Sequence, residues 1–130
     1  MEFPNELLYT KDYSWVKIER RVAFLGVVEP AAKLVKEFVF ISLPREGRSI
    51  KKGDTYVSLE AMKWSGHLSS PFSGEILKVN NSLYDNPSSI NKNPYSSWIV
   101  KISIKNPEEK GELMGPREAR KWFQEKHGGD

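Results

Sequence analysis

The 130-residue chain has no cysteine and only two histidines, His67 and His127. The lack of cysteine excludes disulfide staples, thiolate metal sites and cysteine nucleophiles together. Two histidines are too few for a histidine-rich metal site, so no metal is predicted. No apolar run is long enough to cross a bilayer. The opening residues, Met1-Glu2-Phe3-Pro4-Asn5-Glu6, lack the basic start and apolar stretch of a secretory signal. These absences predict a soluble, cytoplasmic protein without a membrane partner. Any redox or acyl chemistry would need reactive atoms from an attached group.

Hydrophobic residues make up 38% of the chain and charged residues 28%, a globular rather than a disordered balance. The length suits one domain, residues 1–130, with a modest core. The net charge of +3 could suggest nucleic acid. That reading needs basic and aromatic residues clustered on one face, whereas the basic excess lies mainly near the C-terminus, so no nucleic-acid partner is predicted.

Tyr13 to Leu25 reads as two strands joined around Glu19-Arg20-Arg21, with Gly26 ending the pattern. Pro30 suits the first turn of a short helix that continues to about Lys36. Phe38 to Leu43 is a β-prone run stopped by Pro44. Gly47 and Gly53 mark turns on either side of Ser49-Ile50-Lys51. Thr55 to Leu59 is a strand, Glu60 to Gly66 a tight connection, and His67 to Ser70 extended chain. Pro71 to Gly74 turns into a strand from Glu75 to Val79. Asn80 to Ser97 is rich in Asn, Ser and Pro and reads mostly as loop. Trp98 to Ile104 alternates as a strand. Gly115-Pro116 opens a last helix, about 116–126, anchored by Trp122 and Phe123, and His127 to Asp130 reads as a frayed tail. Trp15, Trp98, Phe38, Phe40 and Phe72 are core candidates. Arg117, Arg120 and Lys121 fall on the solvated side of the last helix. The whole is mainly β, a sandwich or small barrel with a terminal helix.

Glu60-Ala61-Met62-Lys63-Trp64 carries the candidate chemistry. A lysine in the middle of a tight connection is exposed and within reach of a modifying enzyme. Its deprotonated amine can form an amide with an activated acid. A long acid attached there becomes a tethered arm, which raises the effective concentration of its cargo at each partner site. A plain surface lysine gives the same short motif, so the flanking residues have to decide.

Those residues resemble the H protein of the glycine cleavage system, a lipoyl carrier. Tyr9 to Trp15 resembles that family's opening segment, and Leu25-Gly26-Val27-Val28-Glu29 its glycine-containing strand end. Phe38 to Pro44, Gly47 and Gly53-Asp54 follow at the family's spacing. Glu60 and Lys63 match its Glu-Ser-Val-Lys motif, and Pro71, Ser73 and Gly74 its Pro-Val-Ser-Gly turn. Asn80, Leu83, Pro87, Asn91, Pro94-Tyr95 and Trp98 match its later block. The resemblance implies a barrel-sandwich hybrid of two small antiparallel sheets, with a short helix after Gly26 and a C-terminal helix. It implies covalent lipoate on Lys63, with Glu60 helping the lipoylating enzyme recognise the turn. It implies a protein that is not a catalyst alone. The implied partners are a lipoate ligase or lipoyl transferase, together with glycine decarboxylase, aminomethyltransferase and dihydrolipoamide dehydrogenase.

The sequence departs from the family around the arm. Ser14 stands where members place a glutamate, and Pro30 where they often place a histidine or tyrosine. A positively charged amine cargo would lose an acidic partner and a hydrogen-bonding ring. This favours a related lipoate-binding protein that serves a heterodisulfide-reductase-like complex in sulfur-compound oxidation, over a divergent glycine cleavage carrier. Trp64 is either packed on its own hairpin or an apolar shelf for the arm. Ser14, Pro30, Trp64 and His67 are therefore the candidate cleft residues near the arm. Ala61-Met62-Lys63 also resembles the biotin-carrier motif Ala-Met-Lys-Met, with Trp64 in place of the second methionine. An unmodified binding module of the same fold is the remaining alternative.

Overall fold

The computed structural model describes residues 2–127, and strands dominate among them. In chain order the elements are β1 (Leu8–Tyr9), β2 (Ser14–Glu19), β3 (Val22–Val27), α1 (Glu29–Leu34), β4 (Phe38–Ser42), β5 (Ser49–Ile50), β6 (Thr55–Ala61), β7 (Trp64–Ser69), β8 (Gly74–Val79), α2 (Ser82–Asp85), α3 (Ser89–Lys92), β9 (Val100–Ile104) and α4 (Pro116–Lys126). A 3₁₀ segment, Pro107–Glu112, precedes α4. Six strands form one sheet in the order β1-β2-β3-β9-β8-β5, and three form another in the order β4-β6-β7. The pairing is antiparallel throughout, and neither sheet closes into a barrel.

Alternation along the strands builds the core between the sheets. Ala23 and Leu25 of β3 and Ile102 of β9 point inward from the large sheet. Tyr56, Val57 and Leu59 of β6 meet them from the small one. Leu25, Ile102, Val57 and Leu59 each contribute about 1.5–3 kcal/mol when fully buried. A second cluster joins Phe3, Tyr9, Trp15, Met114 and Phe123, and it pins α4 against the start of the chain.

Four expectations need correction. First, β3 runs through Gly26 to Val27. Gly26 pairs with Trp15, and a Cβ there would lie 2.4 Å from the indole, so the missing side chain makes room for the ring rather than ending the strand. Second, Phe40 is not core but 54% exposed, because β4 is an edge strand whose register shifts between Phe38 and Phe40. Third, the 80–97 segment contains α2 and α3, each a single turn held by one buried apolar residue, Leu83 or Ile90. Fourth, the connection after β6 is much shorter than Glu60 to Gly66, because β6 continues to Ala61 and β7 starts at Trp64. Trp15, Phe38 and Phe72 are buried, and Trp98 is half-buried.

Candidate functional site

The β6–β7 hairpin closes through Met62 and Lys63 alone, with Ala61 paired to Trp64. Neither turn residue has a positive φ, so this is not the primed turn that two-residue hairpins usually adopt. No glycine or asparagine is needed, and the sequence carries no turn signal there. Lys63 is exposed at the tip. Glu60 is not in the turn. It is an exposed β6 residue, opposite Phe40 on one side and Ser65 on the other.

Beside the tip lies a cavity of about 730 Å³. Val27 of β3, Ala31 and Leu34 of α1, Val35, Phe38 of β4, Leu59 of β6 and Leu68 of β7 give it apolar walls. Met62, Lys63 and Trp64 form its rim. The Trp64 ring stands 6.1 Å from the Phe38 ring, which fixes it as part of the wall. Asn91 holds two walls together, as its Nδ2 donates to the Ala32 carbonyl at 2.8 Å and its Oδ1 accepts from the Phe38 N–H at 2.8 Å. Polar groups enter from three places. Lys36 and Glu37 follow α1, Tyr13 precedes β2, and His127 ends α4. Tyr13 Oη lies 3.1 Å from His127 Nε2.

Of the four candidate cleft residues, only Trp64 lines this cavity. Ser14 is fully buried, with its Oγ 2.6 Å from Tyr56 Oη. Pro30 is buried in the first turn of α1. His67 is exposed on β7, opposite Ser58. The nearby Asp12 carboxylate accepts a hydrogen bond from the Ser69 N–H. Burial pushes the Asp12 carboxyl above its ordinary value, while the Ser69 bond and the His67 ring oppose that shift.

Sequence reasoning missed Tyr13, Asn91 and His127 as site residues. His127 is no frayed tail: its N–H donates to the Phe123 carbonyl at 3.0 Å, and its ring lies 4.3 Å from that of Phe123. The i,i+4 spacing from Phe123 to His127 was the available signal. The rest of the supposed tail, 128–130, lies outside the described residues.

An exposed lysine at a hairpin tip beside an apolar cleft suits a carrier of a long acyl group. The chain matches the family described as glycine cleavage H-protein over residues 7–126. It belongs to that family. H-proteins are not enzymes by themselves but lipoyl carriers, with lipoate joined covalently to a lysine. Glycine cleavage system H proteins of Clostridium botulinum are 37% identical in strain Hall and 35% identical in strain Loch Maree, each over 116 residues and 89% of both chains. A glycine cleavage system H protein from Mycobacterium marinum superposes with a TM-score of 0.83 at 26% identity, over 97% of this chain and 99% of that one. The two-sheet H-protein fold is thereby established for this chain. Among the described residues, no helix is long and apolar enough to cross a membrane.

Proposed function

We propose that Lys63 is the lipoyl attachment site and that the cleft beside it is the arm's resting place. One observation carries this reading: the exposed lysine at the hairpin tip opens directly onto apolar walls. The Lys63 amine, once deprotonated, attacks the activated carboxyl of lipoate, forming an amide and releasing the activating group. Lipoate then supplies the paired sulfurs that this cysteine-free chain lacks. Met62, at 86% exposure, and Trp64 offer the acyl chain apolar cover next to the lysine. Leu34, Val35 and Phe38 continue that cover into the cleft. Glu60 stands exposed one strand step back, where a lipoate ligase or lipoyl transferase can read it together with Lys63. The H-protein match favours lipoate over biotin at this lysine.

The pathway named by the family is glycine cleavage, with glycine decarboxylase, aminomethyltransferase and dihydrolipoamide dehydrogenase as partners. A specific observation favours the second reading, service to a heterodisulfide-reductase-like complex. Ser14 is sealed against Tyr56, and Pro30 presents no hydrogen-bonding ring. Among the described cleft residues the one carboxylate is Glu37, exposed at the edge. The cleft is thus poorly equipped to hold a cationic amine.

Two assays test the proposal. Lipoate ligase should modify wild-type protein and leave Lys63→Arg unmodified but folded, since an exposed turn position shifts stability by only about 0.5 kcal/mol. Lipoylation of the arginine variant would refute the assignment. Wild-type lipoylated protein should then be offered to glycine decarboxylase with glycine and labelled bicarbonate. Exchange at the rate of an authentic H protein supports glycine cleavage, and its absence supports the second reading.

A further inference from the structure

The lipoyl-arm reading leaves one feature of the cleft without a role. Three residues other than glycine have positive φ among the described residues: Tyr13 at 67°, Arg20 at 59° and Lys36 at 71°. Two of them, Tyr13 and Lys36, line the cleft. Lys36 occupies the position just past α1, where a left-handed residue ordinarily ends a helix. Tyr13 has no such excuse. A bulky side chain in this region is strained and persists only where surrounding contacts hold it. Here α4 and the residue that follows it hold it: the rings of Trp122, Phe123 and His127 lie 5.4, 6.1 and 5.6 Å from the Tyr13 ring. The result aims the Tyr13 hydroxyl at His127 Nε2, with both side chains on the cleft wall.

We propose that the Tyr13–His127 pair takes the sulfur end of the resting arm by hydrogen bonding. This rests on Lys63 carrying lipoate. A hydroxyl has one donor and two acceptor sites, and the bond to His127 uses one of them in either tautomer. If Tyr13 donates to the ring, its oxygen still accepts from a thiol. If the ring donates to Tyr13, the phenolic hydrogen is free to point at a sulfur. The remaining lining is apolar apart from Lys63 and the exposed Lys36 and Glu37. Tyr13, half-buried, and His127, exposed, are the polar side chains of the lining that are joined by a hydrogen bond of their own, and against them a chain ending in sulfurs can place its head. It acts as a positioning pair that shields the sulfurs until a partner draws the arm out. The C-terminal helix is thereby part of the arm's site.

The test uses full-length lipoylated protein with the arm reduced, and follows alkylation by iodoacetamide under excess reagent. Wild type, Tyr13→Phe and His127→Phe are compared with free dihydrolipoamide. Both variants keep an aromatic ring against Phe123, and thermal unfolding checks that they fold. Wild type should react more slowly than free dihydrolipoamide, and each variant about three- to tenfold faster than wild type, the factor one hydrogen bond supplies. Variants that react at the wild-type rate, or wild type that reacts like free dihydrolipoamide, would overturn the proposal. Peptide mapping of the same samples separates the two readings. Lipoate on Lys63 with unchanged rates refutes the pair alone, while an unmodified Lys63 refutes the carrier site and this inference together.

Discussion

Ser14 and Tyr56 form a sealed pair whose energetics can be worked out from the structure. Their side-chain oxygens are 2.6 Å apart, and the two residues are 0% and 1% exposed. Neither oxygen has another hydrogen-bond partner among the described residues, so each hydroxyl satisfies the other. Burial also holds the Tyr56 phenol far above its ordinary value, neutral and able to donate. Ser14→Ala orphans the Tyr56 hydroxyl, and Tyr56→Phe orphans Ser14. Each should cost about 1–3 kcal/mol, the penalty for a buried unsatisfied group. For a chain of this length that is roughly 3–5 °C of melting temperature per kcal/mol. The double variant leaves no orphan. It should lose no more than the worse single variant, giving a coupling energy of about 1–3 kcal/mol in a double-mutant cycle. Urea unfolding of the four proteins at pH 7 supplies the numbers. Additive losses in the double variant would show that the hydroxyls do not depend on each other, and the account of Ser14 as a core residue would fail.

Three further outcomes follow from the geometry. Burial raises the phenols of Tyr9, Tyr56 and Tyr95 above the ordinary value of 10.0, and Tyr95 is pushed up to about 12. The unfolded chain therefore loses these protons first, so stability is whole below about pH 10 and falls as pH rises toward 12; a urea midpoint that stays level from pH 9 to 12 would contradict this. Gly74→Ala would place a Cβ 1.6 Å from the Ser103 carbonyl oxygen, and it should cost about 3 kcal/mol or more by parting β8 from β9. Gly111→Ala meets nothing within 4 Å and should shift urea stability by only about 0.5 kcal/mol, so equal effects of the two would refute the clash. Gly66→Ala would place a Cβ 2.7 Å from the Trp64 ring, forcing the indole off the cleft rim, and a reduced arm should then be alkylated faster than in wild type while Lys63 is still lipoylated.

The long strands were legible because alternation and β-branched residues mark them directly. The β2–β3 hairpin, β4 and β6 fall close to where their apolar residues place them. What stayed hidden depends on partners distant in sequence. Gly26 looks like a break until Trp15 is seen lying over it. Phe40 looks like core until β4 proves to be an edge strand with a bulge. The single-turn helices depend on burying Leu83 and Ile90 rather than on local propensity. At the site, the exposed connection holding Lys63, with Trp64 beside it, was readable from the chain, whereas lipoate on Lys63 came from the resemblance. Ser14 and Pro30 were read as cleft residues from a resemblance, yet both side chains turn into the protein. Tyr13 and His127 lie 114 positions apart and meet only because α4 packs beside β2's leading turn.

Lipoate on Lys63 underlies both the carrier role and the role proposed for the Tyr13–His127 pair. Intact mass of the protein from its natural source, followed by peptide mapping, tests it most directly. One lipoyl increment, located on Lys63, is the expected result. A biotinyl increment there, a lipoyl group on another lysine, or an unmodified Lys63 would contradict it.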